Sequence, residues 1–312
     1  MTKFLQTLLD GVAVGSLYGL IALGYTMVYG ILQFINFAHS DIFMLGAWIS
    51  YEVAVHLGWV NLQAASPALQ VLAPVVVLLA AMAFCGTLAF IIERTAYRPL
   101  RQAPRLNVLI TAIGVSLLLE NAGQLQSLLG TQPRPMPALL PNRVLFSVAG
   151  VDVLVLDVLV IFLAQALMAA LEWLVQRTKL GLGMRAVSFE PRTAALMGVP
   201  VDRVISLTFV IGSTLAAAAG LLYASKYVTL QQPAHAAWIL LGLKAFVAAV
   251  VGGIGNIRGA MLGGMTIGLL EFFGRAYSGS PQFADVYVFS LLILVLLFRP
   301  TGMLGRATVV KV

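Results

Sequence analysis

Long hydrophobic runs alternate with short polar stretches along the whole chain. Crossing the hydrocarbon core of a bilayer takes about 20 apolar residues, fewer or more when a helix is tilted. The runs at residues 4–29, 42–57, 71–92, 108–129, 153–175, 204–223, 238–251, 260–273 and 283–298 therefore predict an all-α fold, a polytopic membrane bundle of about nine spans, with eight to ten fitting the pattern. The two runs at 238–251 and 260–273 are short, and Gly252-Gly253-Ile254-Gly255-Asn256-Ile257-Arg258-Gly259 lies between them. That pattern predicts either a cytoplasmic turn between two tilted spans or a break between discontinuous helices, as transporters use near their pathways.

Small residues four apart let two membrane helices approach backbone to backbone. Gly11, Gly15 and Gly19 mark such a face on the first span, and Gly212, Ala216 and Gly220 mark another on the sixth. A weak internal echo, Asn36…His39…Met44-Leu45-Gly46 against Asn256…Arg258…Met261-Leu262-Gly263, is the sequence basis for expecting duplicated halves.

The polar stretches set the orientation. Arg94, Arg98, Arg101 and Arg105 fill one loop, and Arg177, Lys179, Arg185, Arg192 and Arg203 fill the central one at residues 177–203. Arg299, Arg306 and Lys311 follow the last span. Basic loops stay cytoplasmic, which places these segments and the C-terminus inside and the short N-terminus outside. Residues 130–150, with Pro133, Pro135, Pro137 and Pro141, predict an irregular outer loop. Asp10 interrupts the first apolar run, so a cleaved signal peptide is not expected. The chain is expected to be one permease-like domain over residues 1–312, with residues 177–203 as a distinct cytoplasmic loop.

Composition agrees: of 312 residues, 60% are hydrophobic and 10% charged, and the mean hydropathy is +0.96. Soluble domains are about 25% charged. The net charge of +7 follows from the inside loops, so no nucleic-acid partner is implied. Cys85 is the lone cysteine and is read as a core residue. His39, His56 and His235 lack ligand spacing, so no metal is expected. There is no G-x-x-x-x-G-K-[ST] phosphate loop and no nucleophile–base pattern, so neither an ATPase site nor a catalytic residue is expected.

A charged group costs about 2.5–3.5 kcal/mol at the bilayer centre and needs a partner or water. Glu271 and Arg275, four apart, predict a structural pair. Ser116, Glu120 and Gln124 form a polar stripe on the fourth span. Glu120 and Lys244 either line a pathway or pair with each other across helices. The polar turn carrying Asn36, His39 and Asp41, together with Asn256, supplies further pathway or gate candidates.

The longest polar interruption is GLGMRAVSFEPRTAALMGV, residues 181–199. Ser188 and Pro191 predict a helix start and Gly198 a stop, giving a short helix near residues 190–197. A short helix carried by two spans needs a surface to pack on, and a soluble cytoplasmic partner supplies one.

Glu190, Ala194, Ala195 and Gly198 resemble the Glu–Ala–Ala…Gly coupling motif of ABC-importer permeases, with Pro191 and Arg192 departing from it. GYTMVYGILQFINFAHSDIFMLGAW, DRVISLTFVIG, GLKAFVAAVVGGIGNIRGAMLGG and LLILVLLFRPTGMLGR are similar to LivH-type permeases of branched-chain amino-acid importers, over most of the chain. The resemblance implies an inner-membrane importer subunit for leucine, isoleucine and valine. It implies a second related permease subunit, two cytoplasmic ATPase subunits and a periplasmic amino-acid-binding protein. ATP is then hydrolysed by the partners, with no cofactor bound here. Coupling positions carried over are Glu190, Arg192, Ala194, Ala195, Leu196 and Gly198. Urea or short amides are the alternative cargo. An ion-coupled carrier would need a relay of titratable groups, and Glu120 and Asp10 are too scattered for one.

Overall fold

In a computed structural model, residues 2–62, 65–101, 103–148 and 150–305 are described. The helices are α1 (Thr2–Leu32), α2 (His39–His56), α3 (Pro67–Ile92), α4 (Arg105–Gly123), α5 (Val155–Arg177), α6 (Lys179–Phe189), α7 (Pro191–Leu196), α8 (Val201–Tyr227), α9 (Ala236–Gly252), α10 (Ile257–Tyr277) and α11 (Ala284–Phe298). Four short strands, β1 (Arg134–Pro135), β2 (Val144–Val148), β3 (Val151–Leu154) and β4 (Thr229–Leu230), complete it. The fold is helical. By length and composition, five helices can cross a membrane: Thr2–Leu32, Pro67–Leu100, Leu106–Gly123, Val155–Arg177 and Val201–Tyr227. Helices α9 and α11 are apolar but shorter, while α2 and α10 carry more charge, including Asp41 and Glu52, and Arg258, Glu271 and Arg275.

Helix α1 is the centre, with 94% of its apolar window buried. It packs on α10, α8, α5 and α9, and α2 fills the space between α3, α8 and α9. The spacing-four glycines explain the closeness. A Cβ on Gly15 would lie 2.9 Å from Met265 Cα and 3.0 Å from Gly264 O, and Cβ atoms on Gly264 or Gly268 would overlap the α1 backbone at Gly19 and Gly15. The second face works as its spacing predicts: Gly212 abuts Gly24, and Gly220 abuts the α2 backbone near Phe43 and Ala47. In lipid the helices gain little by hiding apolar surface from one another, so such backbone contact carries much of the association. The outward faces of α3, α4 and α11 present large apolar side chains such as Val71, Leu79, Leu118, Ile293 and Leu297. That arrangement suits lipid.

Several boundaries move. Helix α2 starts at His39, ahead of the expected 42. Helix α4 ends at Gly123, six residues before the expected 129, because Gly123 packs directly on Pro233 and the chain then turns back, Gly130 N donating to Gly123 O (3.2 Å). Gln124 thereby leaves the polar stripe. The segment at 130–150 is less irregular than its prolines suggest: β2 and β3 pair antiparallel, with Gly150 at φ +78° between them, and β1 pairs with β4 across the chain. The stretch at 252–259 forms a hairpin, not a break between collinear helices. Gly253 (φ +108°) and Gly255 (φ +92°) turn the backbone, Asn256 caps α10, and Gly263 packs on Ala248. Helix α10 runs on to Tyr277, past the expected 273. The echoed asparagines act differently, since Asn36 accepts from the Tyr97 hydroxyl (2.7 Å) and caps nothing. Arg306 and Lys311 lie outside the described residues.

The glycine contacts predict a steep asymmetry. Gly268→Leu should remove most of the protein from membranes, because the α1–α10 contact cannot absorb the side chain. Gly114→Ala, where nothing lies within 4 Å, should leave abundance and melting temperature unchanged or slightly raised. Immunoblots of membranes and a melting curve in detergent read both.

Candidate functional site

The central polar stretch folds into two helices at one end of the bundle. Thr178 caps α6 by accepting from Gly181 N (3.1 Å), and Arg185 ties α6 back to the carbonyl of Val175. Ser188, expected as a helix start, sits inside α6, where it bonds the carbonyl of Gly30 at the end of α1. Glu190 takes the capping role instead: its backbone is extended and Oε1 accepts from Arg192 N (3.3 Å). Pro191 fits the first helical position, where no N–H is required. The end of α7 is a Schellman motif, with Gly198 at φ +83°, Gly198 N bonded to Ala195 O and Val199 N to Ala194 O.

This tip has two faces. Ala194 is buried against the body, whereas Arg192, Ala195 and Gly198 are exposed. Leu196 is 88% exposed, Met197 80% and Phe189 93%. Three large apolar side chains are held out by a capped, glycine-ended helix, an exposed apolar patch at one end of the bundle. Sequence reasoning missed Phe189. The signal was available: an unpaired aromatic directly before the Glu-Pro start of a helix in an otherwise polar loop.

A second constellation lies within the bundle. On α4, Ile113, Ser116, Leu117 and Glu120 share one face and line a cavity of about 180 Å³ with Tyr25, Ser40, Leu243 and Phe246. Behind it, Asp41 accepts from Ser116 Oγ (2.5 Å) and lies close to Glu120. Asp41 is 1% exposed and Glu120 7%. The structure thus joins two of the predicted residues. Tyr25, Ser40, Leu243 and Phe246 were not foreseen, because their neighbours come from distant parts of the chain. His39 fits against Gly24, its Nε2 3.2 Å from Ile21 O and its ring edge-on to Tyr25.

Lys244 does not meet Glu120. It pairs with Glu271 (2.9 Å) and Asp285 (2.6 Å), and Arg275 also reaches Glu271, whose other oxygen accepts from Tyr18 (2.7 Å). Helices α1, α9, α10 and α11 are thereby tied by one buried network. The expected Glu271–Arg275 pair is present within it. Asn256 is at the hairpin turn, where its Nδ2 also donates to Leu304 O (2.8 Å), and Met303 N and Leu304 N bond Val251 O and Gly252 O. Near the same end Arg101 joins Glu93 to Asp202, Arg98 joins Asp202, and Ser206 donates to Glu93 (2.6 Å). Among the described residues no group of three or more His, Cys, Asp or Glu side chains could hold a metal ion.

An apolar outer belt, buried charge networks and a projecting tip at one end define an integral membrane bundle. Residues 7–297 match the family described as branched-chain amino acid transport system / permease component. The chain is 42% identical over 312 residues to the high-affinity branched-chain amino acid transport system permease protein BraD of Pseudomonas aeruginosa, covering 99% of this chain and 98% of that one. It is 40% identical to the LivH permease protein of Escherichia coli, with the same coverage, and 27% identical over 96% of its length to a probable LivH of Methanocaldococcus jannaschii. The chain belongs to this permease family.

The buried network predicts a measurable coupling. Lys244→Met leaves Glu271 and Asp285 short of a cation and should cost on the order of 3 kcal/mol, read as a lower melting temperature. Pairing it with Glu271→Gln should cost less than the two single changes together, because both remove the same interaction.

Proposed function

We propose that this chain is the transmembrane permease subunit of an ATP-driven importer of branched-chain amino acids in the inner membrane. The observation that carries the reading is the full-length match to permeases named for that cargo, at 40–42% identity over 99% of the chain. The same relatives favour branched-chain amino acids over urea or short amides. In this reading residues 1–312 are one permease domain of about nine spans, with α2, α9, α10 and α11 crossing alongside the five helices that are long and apolar enough by themselves. Its partners are a second related permease subunit, two cytoplasmic ATPase subunits that bind and hydrolyse ATP, and a periplasmic amino-acid-binding protein. The chain itself is not an enzyme and holds no cofactor.

Residues 177–203 form the cytoplasmic coupling loop. Leu196, with Met197 and Phe189, enters the ATPase surface, Arg192 and Ala195 flank the contact, and Glu190 and Gly198 fix the helix ends so that a push on α7 is not lost in fraying. Ala194 transmits that push to α8 and, through the Ser188–Gly30 bond, to α1. The bundle then alternates between outward-open and inward-open states, with ATP binding and release shifting the balance. The gate and pathway are assigned to Asn36, His39, Asp41, Glu120, Lys244 and Asn256. Asn36 and His39 act as a hinge at the start of α2, Asp41 and Glu120 line the passage, and Lys244 and Asn256 hold the surrounding helices. Amino-acid specificity resides largely in the binding protein, which leaves the passage permissive.

Deleting the gene from cells lacking other leucine importers should abolish uptake of labelled leucine, with isoleucine and valine competing in the complemented strain. Leu196→Asp should abolish uptake at unchanged membrane abundance, since the side chain touches nothing in this chain's core. Normal uptake by that variant would remove the coupling assignment, and leucine-independent uptake of urea would replace the cargo.

A further inference from the structure

Five acidic side chains are buried among the described residues: Asp41, Glu93, Glu120, Asp157 and Glu271. Three have a cation at ion-pairing distance. Glu93 has Arg101, Asp157 has Lys226 (2.5 Å), and Glu271 has Lys244 and Arg275. Asp41 and Glu120 have none among the described residues. They contact each other and Ser116. A carboxylate withdrawn from water without a counter-charge is costly, by several kcal/mol per ion, and elsewhere this protein meets that cost with a lysine or arginine. Here it does not, and here Glu120 opens onto a cavity.

The cavity suits one kind of solute. Its volume of about 180 Å³ lies below the roughly 300 Å³ where drug-sized pockets begin, and corresponds to about six waters at 30 Å³ each. Ile113 and Leu117 of α4 line it together with Leu243 and Phe246 of α9, and because Ile113, Leu117 and Leu243 are also exposed the cavity is open to one side. A carboxyl group beside branched and aromatic walls matches a small primary ammonium bearing an aliphatic side chain. The cavity also adjoins the start of α2, so an occupant would bear on the His39 turn.

We propose that Glu120, backed by Asp41 and Ser116, receives the ammonium group of the transported amino acid in a transit site in the groove between α4 and α9, with Leu243 and Phe246 against its side chain. The proposal rests on the permease reading and adds a residue contact to it. The missing cation is then supplied by the cargo during each passage, and the site is vacated when the helices part.

The test uses the complete importer with its partner subunits in proteoliposomes. Glu120→Gln keeps the shape and hydrogen bonding but removes the charge. Leucine uptake should fall at least ten-fold, with ATP turnover still stimulated by the binding protein, and Asp41→Asn should show a smaller loss of the same kind. On the wild-type permease–ATPase complex without the binding protein, isopentylamine should displace labelled leucine and 4-methylpentanoate, which lacks the ammonium, should not. Wild-type uptake by Glu120→Gln overturns the proposal, as does equal displacement by 4-methylpentanoate. So does joint loss of uptake and stimulated ATP turnover, which would mark Glu120 as a structural clip to α2. In all three cases wild-type import of leucine leaves the permease reading standing, whereas a wild-type complex that imports no branched-chain amino acid refutes that reading itself.

Discussion

The contact between α1 and α10 is the constraint on which the bundle depends. Where Gly15 and Gly19 meet Gly264 and Gly268, two backbones touch with no side chain between them. Dispersion between closely packed backbones substitutes for the hydrophobic driving force that lipid cannot supply. Because α1 is wrapped by α5, α8, α9 and α10, its position sets theirs. The Tyr18–Glu271–Lys244–Asp285 network crosses the same group of helices, so the polar ties reinforce the arrangement that the glycines allow.

The charged groups divide by location and by task. At one end, Arg98 and Arg101 bind Asp202 and Glu93 and so fasten the end of α3 to the start of α8, beside the projecting α6–α7 tip. Lys244 within α9 and Lys226 in the last turn of α8 neutralise carboxyls from other helices. These ion-paired groups behave as struts. The Asp41–Glu120 pair has no such cation among the described residues.

Much of this was legible locally. Spacing-four glycines report on one helix at a time, and the basic loops declare their side through charge alone. The short helix after residue 189 announced itself through Pro191 and Gly198, whose backbone preferences are intrinsic. What stayed hidden depends on partners far along the chain. Lys244 gives no hint that Asp285 and Glu271 await it, and Gln124 falls off its helix because Pro233 arrives from another segment. The strands at 144–154 were masked by the prolines before them, although Val144–Val148 and Val151–Leu154 are rich in β-branched residues around a glycine. The spacing of Ala260, Gly264 and Gly268 repeats the α1 pattern and could have named its partner from sequence.

The central position of α1 carries a consequence for biosynthesis. Of the five longest apolar helices α1 is the most enclosed, and its principal neighbour, α10, emerges from the ribosome more than two hundred residues after it. Through most of translation α1 must therefore sit in lipid, or against the insertion machinery, with its glycine face bare. The bundle closes around α1, and the 299–305 segment then fastens the α9–α10 turn by bonding Val251 and Gly252. Nascent chains that stall before α10 would be inserted yet unassembled, displaying a close-packing surface to any membrane helix nearby.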